Sequence, residues 1–460
     1  MSSIKKIISS SIWYTISNVI TKGIGFLTAP IFARIMSKNQ FGAYSNFITW
    51  LNLLATVVSA NLYVSVNRAK LDFPKELDNY CSSILLFGTG ITSFFYIITG
   101  LKVSFFEQLF SMEAFYIHIM FIYLLVQPAL EIFQIKQRVL YEYKISVILS
   151  IIATLVTTLT SVILVLTIED KFKGRVIGYI LPLIILNSAL YLYFGIKGKT
   201  FNLDYCKYAF RYSWPFIPHL LATYILSASD RIMITNFCGN DYTAIYTMAC
   251  NCMSIATLFL TSLNNAITPW IFEKLNCKEE NQIRKVTFPY CIIFFLIVQM
   301  AFLISPELLW ILGGTQYVEA KFAIVPLLTS IIMQFAYCLY VNIEQYSGRT
   351  WAIALGTTIA AGTNIGLNLF LLPQYGYWIA AYTTLVGYIV LFFVHYLFVK
   401  MIGYKNIYND KIVFIMIIIA ILEQPLILFL YNYVSIRYFI LAVELLILGC
   451  LYPKARLLVK

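Results

Sequence analysis

The sequence predicts an all-α polytopic membrane protein with 12–14 transmembrane helices. We expect them to form two six-helix lobes, related as a parallel repeat, and an appended C-terminal helix pair. The 460 residues are 60% hydrophobic and 12% charged, with a mean hydropathy of +0.79. A soluble chain of this size needs more polar surface than that. The apolar runs reach the roughly 20 residues that a helix needs to cross a bilayer, and they are too continuous for barrel strands.

Fourteen apolar runs mark the predicted spans. The first has a basic start like a signal peptide, but Asn18 and Lys22 interrupt it, so we predict an uncleaved first span. The last two are the weakest, because Glu423-Gln-Pro425 and Glu444 interrupt them. The predicted spans are 7–33, 41–66, 80–101, 114–135, 145–168, 176–196, 212–237, 242–272, 286–304, 323–343, 351–372, 376–399, 412–431 and 437–453.

The order of the spans divides the chain into four parts. An N-terminal lobe at 1–197 and a C-terminal lobe at 212–400 each hold six spans, joined by a linker at 198–211, and 401–460 forms the appended pair. Two helices carry nearly the same interruption, which supports a repeat. One reads Pro30-Ile-Phe-Ala-Arg34-Ile-Met36, and the other reads Ser229-Asp230-Arg231-Ile-Met233. Transporters are often built from two such halves around a shared polar pathway.

Charge predicts orientation and excludes several functions. Most lysines and arginines fall at the two termini and in the even-numbered loops, so both termini are expected on the cytoplasmic side. The net charge of +12 is therefore mainly a topology signal, with added attraction to anionic membrane lipids. No basic run has the length or interleaved aromatics of a nucleic-acid site. The nine cysteines are scattered along the sequence, so we expect no disulfide framework.

No enzyme motif is present, so we predict neither catalytic residues nor a metal site. Gly23-Ile-Gly25 lacks the third glycine of a dinucleotide loop and sits in a membrane helix. The sequence has no phosphate-loop lysine pattern, no paired-histidine zinc motif and no room between spans for a soluble catalytic domain.

Cations in the first span are candidate substrate contacts. Lys22 lies mid-span, one turn after Asn18 on the same face. A lysine at this depth must face a cavity, pair, or lose its proton, and contact with an anion is our interpretation. Arg34 lies near the end of the span, where snorkelling to the interface is an equal alternative.

Polar stripes in other spans are candidates for a pathway. His219, Thr223, Ser227 and Asp230 share one face of span seven, and Arg231 follows. We expect Asp230 to pair with an arginine and to gate the exit, although a lone buried histidine is usually a core residue.

Two further spans add candidates. In span four, Glu131 stands between Gln127 and Gln134 and could pair with Lys22 or carry a coupling proton. Asn251 in span eight could bind sugar hydroxyls, with helix–helix bonding as the alternative.

At these residues the chain resembles the O-antigen flippases of the Wzx type, in the polysaccharide transporter family. That family belongs to the superfamily of multidrug, oligosaccharidyl-lipid and polysaccharide exporters. The resemblance covers the first twelve spans. It rests on the segment Tyr212-Ser-Trp-Pro-Phe-Ile-Pro-His219 through Ser229-Asp230-Arg231-Ile-Met233, on Ala244-Ile-Tyr246 and Pro269, and on Pro30, Ala33-Arg34, Phe41-Gly42 and Tyr44.

The resemblance implies a two-lobed bundle that alternates access. It would carry an undecaprenyl-diphosphate-linked oligosaccharide from the cytoplasmic to the periplasmic leaflet of the bacterial inner membrane. Lys22 occupies a position that is often basic in lipid-linked-sugar flippases, and we expect it to meet the diphosphate, with Arg34 and Arg231 nearer the exit. No cofactor is expected apart from a coupling proton or sodium ion, admitted through Glu131, His219 or Asp230. The O-antigen polymerase and the chain-length regulator are expected partners.

Three alternatives stay open. Two are other transporters, namely a flippase for lipid II or another polysaccharide precursor, and a multidrug antiporter. The drug-exporting branch is expected to carry an acidic residue in the first helix, where this chain has Lys22. The third is an O-antigen polymerase, which usually needs a long periplasmic loop that the sequence lacks.

Overall fold

A computed structural model describes residues 3–198 and 201–458, and helices occupy most of this length without a strand among the described residues. A helix is present at each of the fourteen predicted spans, and we number these helices α1–α14. They are α1 Ser3–Ile35, α2 Lys38–Val58, α3 Leu77–Leu101, α4 Ala114–Val139, α5 Tyr143–Thr167, α6 Lys171–Lys197, α7 Ile217–Cys238, α8 Asn240–Asn276, α9 Glu280–Gly313, α10 Lys321–Tyr346, α11 Thr350–Tyr375, α12 Ile379–Met401, α13 Asp410–Leu422 with Gln424–Leu430, and α14 Val434–Leu458.

The length and apolarity of these helices confirm an all-α polytopic membrane protein. Ten helices of the described residues are long and apolar enough to cross a membrane, or eleven if the bent helix α13 counts as one span. Helices α1, α7 and α14 are not among the ten. In α7 the reason is the run of polar side chains from His219 to Arg231, which lowers its hydropathy below that of its neighbours.

The chain forms two compact units, residues 1–224 and residues 225–460, and the boundary lies inside α7. The first unit contains α1–α6 and the second contains α8–α14. The division into two lobes with a linker at 198–211 stays a prediction.

Close packing of α5 on α6 depends on two glycines spaced four apart. A Cβ atom at Gly178 would lie 2.4 Å from Ser161 Cα, and one at Gly174 would lie 2.6 Å from the Leu164 carbonyl oxygen. The short approach also lets Thr160 Oγ1 donate to the Gly178 carbonyl at 2.6 Å. Small residues at this spacing allow membrane helices to approach closely, because apolar burial alone does not drive their association in lipid.

Gly178→Ala is therefore expected to destabilise the first unit. Forcing a methyl group against backbone atoms typically costs about 1–3 kcal/mol, which should lower the thermal unfolding temperature of the purified protein. Gly195→Ala on the same helix is the matched control, because nothing lies within 4 Å of a Cβ there. Equal unfolding temperatures for the two variants would show that the α5–α6 approach is not tight.

A short helix, Leu203–Ser213, joins α6 to α7 and forms a hydrogen bond to the helix Val66–Asp72. Tyr208 Oη donates to Asp72 Oδ2 at 2.5 Å, and Arg68 Nε lies 3.1 Å from the same oxygen. The hydrogen bond from Tyr208, supported by Arg68, holds the pKa of Asp72 below its ordinary value. Phe73 packs between Tyr205 and Tyr208 in the same place, so the connection is ordered by both ring and polar contacts.

Within the second unit, α13 packs on α9 and α10, and α14 packs on α9. The two pieces of α13 are bent by 47° at the break beside Glu423, whose Oε1 accepts a hydrogen bond from Gln299 of α9 at 2.5 Å. Arg437 of α14 forms a bidentate ion pair with Glu307 of α9, with its two terminal nitrogens 2.8 and 2.7 Å from the carboxylate oxygens. Glu423, which interrupts an apolar run, thus attaches α13 to α9, and Arg437 attaches α14 to α9.

Candidate functional site

A polar cavity of about 560 Å³ lies within the first unit, between α1, α2, α4, α5 and α6. This volume falls within the range of about 300–1,000 Å³ that is usual for ligand pockets. Its walls carry many hydroxyl groups, two arginines and few large aliphatic side chains. The lining residues are Ser17, Thr21, Gly25, Thr28, Phe32, Tyr44, Tyr123, Leu130, Gln134, Arg138, Ser146, Ser150, Ala153, Thr154, Thr157, Thr158, Ser161, Arg175, Tyr179 and Leu183.

Helix α5 supplies one polar wall of the cavity. Ser146, Ser150, Thr154, Thr157 and Ser161 follow one another at three- or four-residue intervals, so they share a face. From Ser146 to Ser161 this stripe runs for about 22 Å at 1.5 Å per residue. Ser150 Oγ donates to the Ser146 carbonyl and Thr154 Oγ1 donates to the Ser150 carbonyl, both at 2.9 Å. Because these hydroxyl protons are used within the helix, the oxygens retain lone pairs that can accept hydrogen bonds from a ligand.

Two arginines give the cavity its charge. Arg138 belongs to the last turn of α4, and Arg175 lies one turn into α6. Helix α5 runs the full distance between the end of α4 and the start of α6, with three-residue connections at each end. The two arginines therefore line the same cavity from its opposite ends along α5. Among the lining residues that the structure describes, none is acidic, so the cavity favours an anion.

Aromatic rings hold the guanidinium of Arg175 in place. Its central carbon lies 3.8 Å from the ring centroid of Tyr44, 3.9 Å from that of Phe32 and 5.1 Å from that of Phe41. Contacts of this kind stabilise a cation through the ring quadrupole and leave its positive charge in place. The rings come from α1 and α2, so three helices determine where this charge sits.

A second polar cluster surrounds Asp230 in the second unit. Asp230 is 3% exposed. Its Oδ2 accepts hydrogen bonds from Tyr246 Oη at 2.5 Å and from Thr384 Oγ1, and its Oδ1 accepts from Asn368 Nδ2 at 2.7 Å. Asn364 adds a further amide, which donates to Thr384 Oγ1 at 3.2 Å. Side chains from α7, α8, α11 and α12 thus meet at one carboxylate.

The partners of Asp230 differ from the expected arginine. All the hydrogen-bond donors described above are neutral, so the charge of an ionised Asp230 is not neutralised by its hydrogen-bond partners, while Arg231 and Asp230 both act on the Cys250 thiol. A buried charge of this kind is stabilised by a bound cation or removed by a proton. Carboxylate and hydroxyl oxygens suit hard cations and not soft metals. In the described residues, no three His, Cys, Asp or Glu side chains come together as a metal site.

The predicted substrate contacts of α1 lie beside the cavity or beyond it. Lys22 is exposed and follows the lining residue Thr21, but it is not itself a lining residue. Arg34 is also exposed, in the last turn of the helix. The side chain of Asn18 lies outside the described part of the structure.

The other predicted residues are divided between the two units. His219, half-buried, belongs to the first unit, whereas Arg231 and Asn251, also half-buried, belong to the second. Half-buried Glu131 accepts a hydrogen bond from Gln127 Nε2 at 2.6 Å, so its observed partner is an amide one turn earlier on the same helix and not Lys22.

Sequence reasoning missed Arg138, Arg175 and the hydroxyl face of α5. Both arginines lie outside the predicted spans 114–135 and 176–196, so the sequence alone places them in loops. The α5 stripe could have been found, because serine and threonine recur there with the same helical spacing that singled out His219 to Asp230.

The helical bundle, the polar cavity and the buried carboxylate define a polytopic membrane protein with the fold of solved flippases and transporters. The fold is similar to that of a structure described as "Lipid II flippase MurJ, inward closed conformation", with a TM-score of 0.73 and 14% identity over 97% of this chain and 100% of that one. It is also similar to an inward-facing multidrug resistance MATE family transporter, with a TM-score of 0.58 and 13% identity over 85% and 96%.

The chain belongs to the polysaccharide biosynthesis protein family, whose model matches residues 7–275. A relative in Haemophilus influenzae, "Lsg locus putative protein 1", is 22% identical over 386 residues, which cover 79% of this chain and 92% of the relative.

Proposed function

We propose that this protein is an O-antigen flippase of the bacterial inner membrane. It carries undecaprenyl-diphosphate-linked oligosaccharide units from the cytoplasmic to the periplasmic leaflet by alternating access. The observation that carries the proposal is the cavity of the first unit, with a hydroxyl-rich wall, two arginines and no acidic lining residue among those described. Membership of the polysaccharide biosynthesis family supports a lipid-linked glycan as the substrate.

The chemistry of the cavity matches both polar parts of such a substrate. A diphosphate accepts paired, charge-assisted hydrogen bonds from a guanidinium, and Arg138 and Arg175 offer such bonds at the two ends of the cavity, so the diphosphate would meet them in turn. Sugar hydroxyls donate to the free lone pairs along α5. The polyprenyl tail needs no polar partner and stays in the bilayer.

We assign supporting roles to the remaining candidates. Lys22, with Asn18, receives the diphosphate beside the cavity, and Arg34 and Arg231 attract it toward the exit. His219 and Asn251 contact the glycan. The export of about two negative charges is favoured by an inside-negative potential, at about 2.3 kcal/mol per charge per 100 mV.

Asp230 and Glu131 are the proposed sites for a coupling proton or sodium ion. Asp230 suits either ion, since its cluster combines one carboxylate with neutral oxygens. Both termini would lie in the cytoplasm, and the O-antigen polymerase and chain-length regulator would receive the product on the other side.

The second candidate function is the transport of lipid II, which is favoured by the fold shared with a lipid II flippase. Its lipid diphosphate is chemically the same, so the arginines alone do not separate the two. A multidrug antiporter is less well supported, because a cationic drug would meet two arginines in the cavity.

Deletion of the gene tests these functions. A strain without it is expected to accumulate lipid-linked O-antigen units in the cytoplasmic leaflet and to lose surface O-antigen, while its cell wall synthesis continues. Plasmid expression should restore display. Normal display together with accumulation of lipid II would contradict the O-antigen assignment and favour the alternative.

A further inference from the structure

A buried acid–base pair in the second unit lies apart from both the cavity and the Asp230 cluster. Glu344 of α10 is 0% exposed and His395 of α12 is 1% exposed, and Glu344 Oε1 lies 2.9 Å from His395 Nδ1. The other polar atom of each side chain, Glu344 Oε2 and His395 Nε2, is also buried and has no hydrogen-bond partner. Most buried polar atoms of folded proteins have a hydrogen-bond partner, so these two atoms are places where a proton can be added or removed.

The surroundings of the pair keep Nε2 without a side-chain partner. Helix α11 presents Gly356 there, and a Cβ atom at that glycine would lie 2.9 Å from Nε2. The ring of Tyr337 lies 5.9 Å from that of His395. The charged groups at this end of α12 are satisfied elsewhere, because Lys400 pairs with Asp410 of α13.

Other titratable groups on the packed helices are weak acids or exposed. Helix α9 contributes Tyr290, which packs on Phe335, and helix α8 contributes Cys250 beside Tyr388. Cys338 lies next to Tyr337 on α10, and Arg349 follows α10 in an exposed position.

The charge of the pair depends on its proton count. With one proton between Oε1 and Nδ1, the carboxylate and the neutral imidazole together carry a charge of −1. A second proton makes the pair electrically neutral, either as carboxylate with imidazolium or as carboxyl with imidazole. Only an N–H or O–H bond is made or broken. Since a net charge is costly at this burial, the proton count determines the stability of this part of the unit.

We propose that Glu344 and His395 form a proton-binding site that operates during the transport cycle. This inference deepens the proposed function and rests on it, because a role in the transport cycle requires that the protein is a transporter. Thr384, which donates to Asp230, and His395 lie eleven residues apart on one face of α12, or about 16 Å. Between them the rings of Tyr388 and Tyr337 stack with centroids 6.4 Å apart. Two tyrosine rings in contact therefore lie between the pair and the Asp230 cluster.

Histidine NMR tests the site in the full-length protein. The chain contains three histidines, so purified protein that carries ¹³C only at the histidine Cε1 position gives three signals in lipid nanodiscs, and His395→Gln identifies the signal of interest. We expect the His395 signal to differ between acidic and alkaline buffer, because the pair changes its proton count. Glu344→Gln should alter that difference, because it removes the carboxylate that shares the proton. A His395 signal that stays constant, or that ignores Glu344→Gln, would overturn the site.

Export assays separate this role from a packing role. Glu344→Gln and His395→Gln should lower export about tenfold, the effect of roughly 1.4 kcal/mol, and should change its dependence on pH. Asn342→Ala is the matched control, since Asn342 is buried on the same helix and bonds the neutral Asn264 at 2.9 Å. It should lower the unfolding temperature without altering the pH profile. Export by the pair variants with the wild-type pH profile would overturn the transport role.

The two proposals fail in different ways. If wild-type protein moves no lipid-linked glycan while His395 still titrates with Glu344, the proposed function fails and the proton site stands. If export is intact and His395 does not titrate, the proton site fails and the function stands.

Discussion

Replacement of Arg138 and Arg175 together by glutamine is expected to lower the export of lipid-linked glycan about a hundredfold. Each arginine lines the cavity of the first unit and offers a charge-assisted hydrogen bond to a diphosphate. Such bonds contribute about 1.5–3 kcal/mol each, and 1.4 kcal/mol corresponds to a factor of ten. Each single variant should therefore lose about tenfold. The measurement is flipping of a fluorescent lipid-linked glycan in proteoliposomes.

Lys173→Gln is the matched control for Arg175. Lys173 lies two residues earlier on α6, is exposed, and contacts the ring of Phe115 at 5.0 Å without lining the cavity. It should export like the wild type. If Lys22→Ala reduced export more than the double arginine variant, the diphosphate would bind at Lys22 on α1 and the cavity assignment would be wrong.

Loss of the carboxylate at Asp230 is the second change with a large expected effect. Asp230→Asn removes the charge and keeps the shape, and it should abolish coupled export while the protein still folds. Asp230→Ala should also unfold more easily, because Tyr246, Asn368 and Thr384 lose their acceptor. Each unsatisfied buried donor costs about 1–3 kcal/mol. Export and unfolding temperature, measured on the same preparations, separate the two effects.

The identity of the coupling ion follows from the same variants. If sodium binds at Asp230, NaCl should raise the unfolding temperature of the wild type more than KCl does, and Asp230→Asn should remove the difference. Proton coupling gives no such difference. Asp241→Asn, at an exposed acid in the first turn of α8, is the control and should behave as the wild type. Wild-type export by Asp230→Asn would contradict the coupling role.

The positions of the membrane helices could be predicted because apolar runs of sufficient length have few other interpretations. Even the break in α13 appears in the sequence as Glu423-Gln-Pro425. The ends of helices were harder. Helix α6 begins at Lys171 and not at 176, and this difference moves Arg175 from a loop into a cavity wall.

The periodicity of one helix does not predict which residues of other helices contact it. The spacing from His219 to Asp230 singled out one face of α7, but the donors to Asp230 come from three other helices, up to 154 residues away. One of these donors is Asn368 of α11, which bonds Asp230 between the two helices. We predicted that Glu131 could pair with Lys22 because their charges are opposite. In the structure Glu131 instead accepts a hydrogen bond from the amide of Gln127, one turn away on the same helix.

The ion pair between α9 and α14 has a consequence for biogenesis. Glu307 is synthesised 130 residues before Arg437. At about 5–20 residues per second, the ribosome needs roughly 6 to 26 s to supply the arginine. Once α9 enters the bilayer, Glu307 lacks this partner until Arg437 has been made, and Gln299 lacks Glu423 for most of the same time. The polar contacts of α9 with α13 and α14 are thus complete only when α14 leaves the translocon, which gives membrane quality control a defined period in which to recognise an unfinished copy.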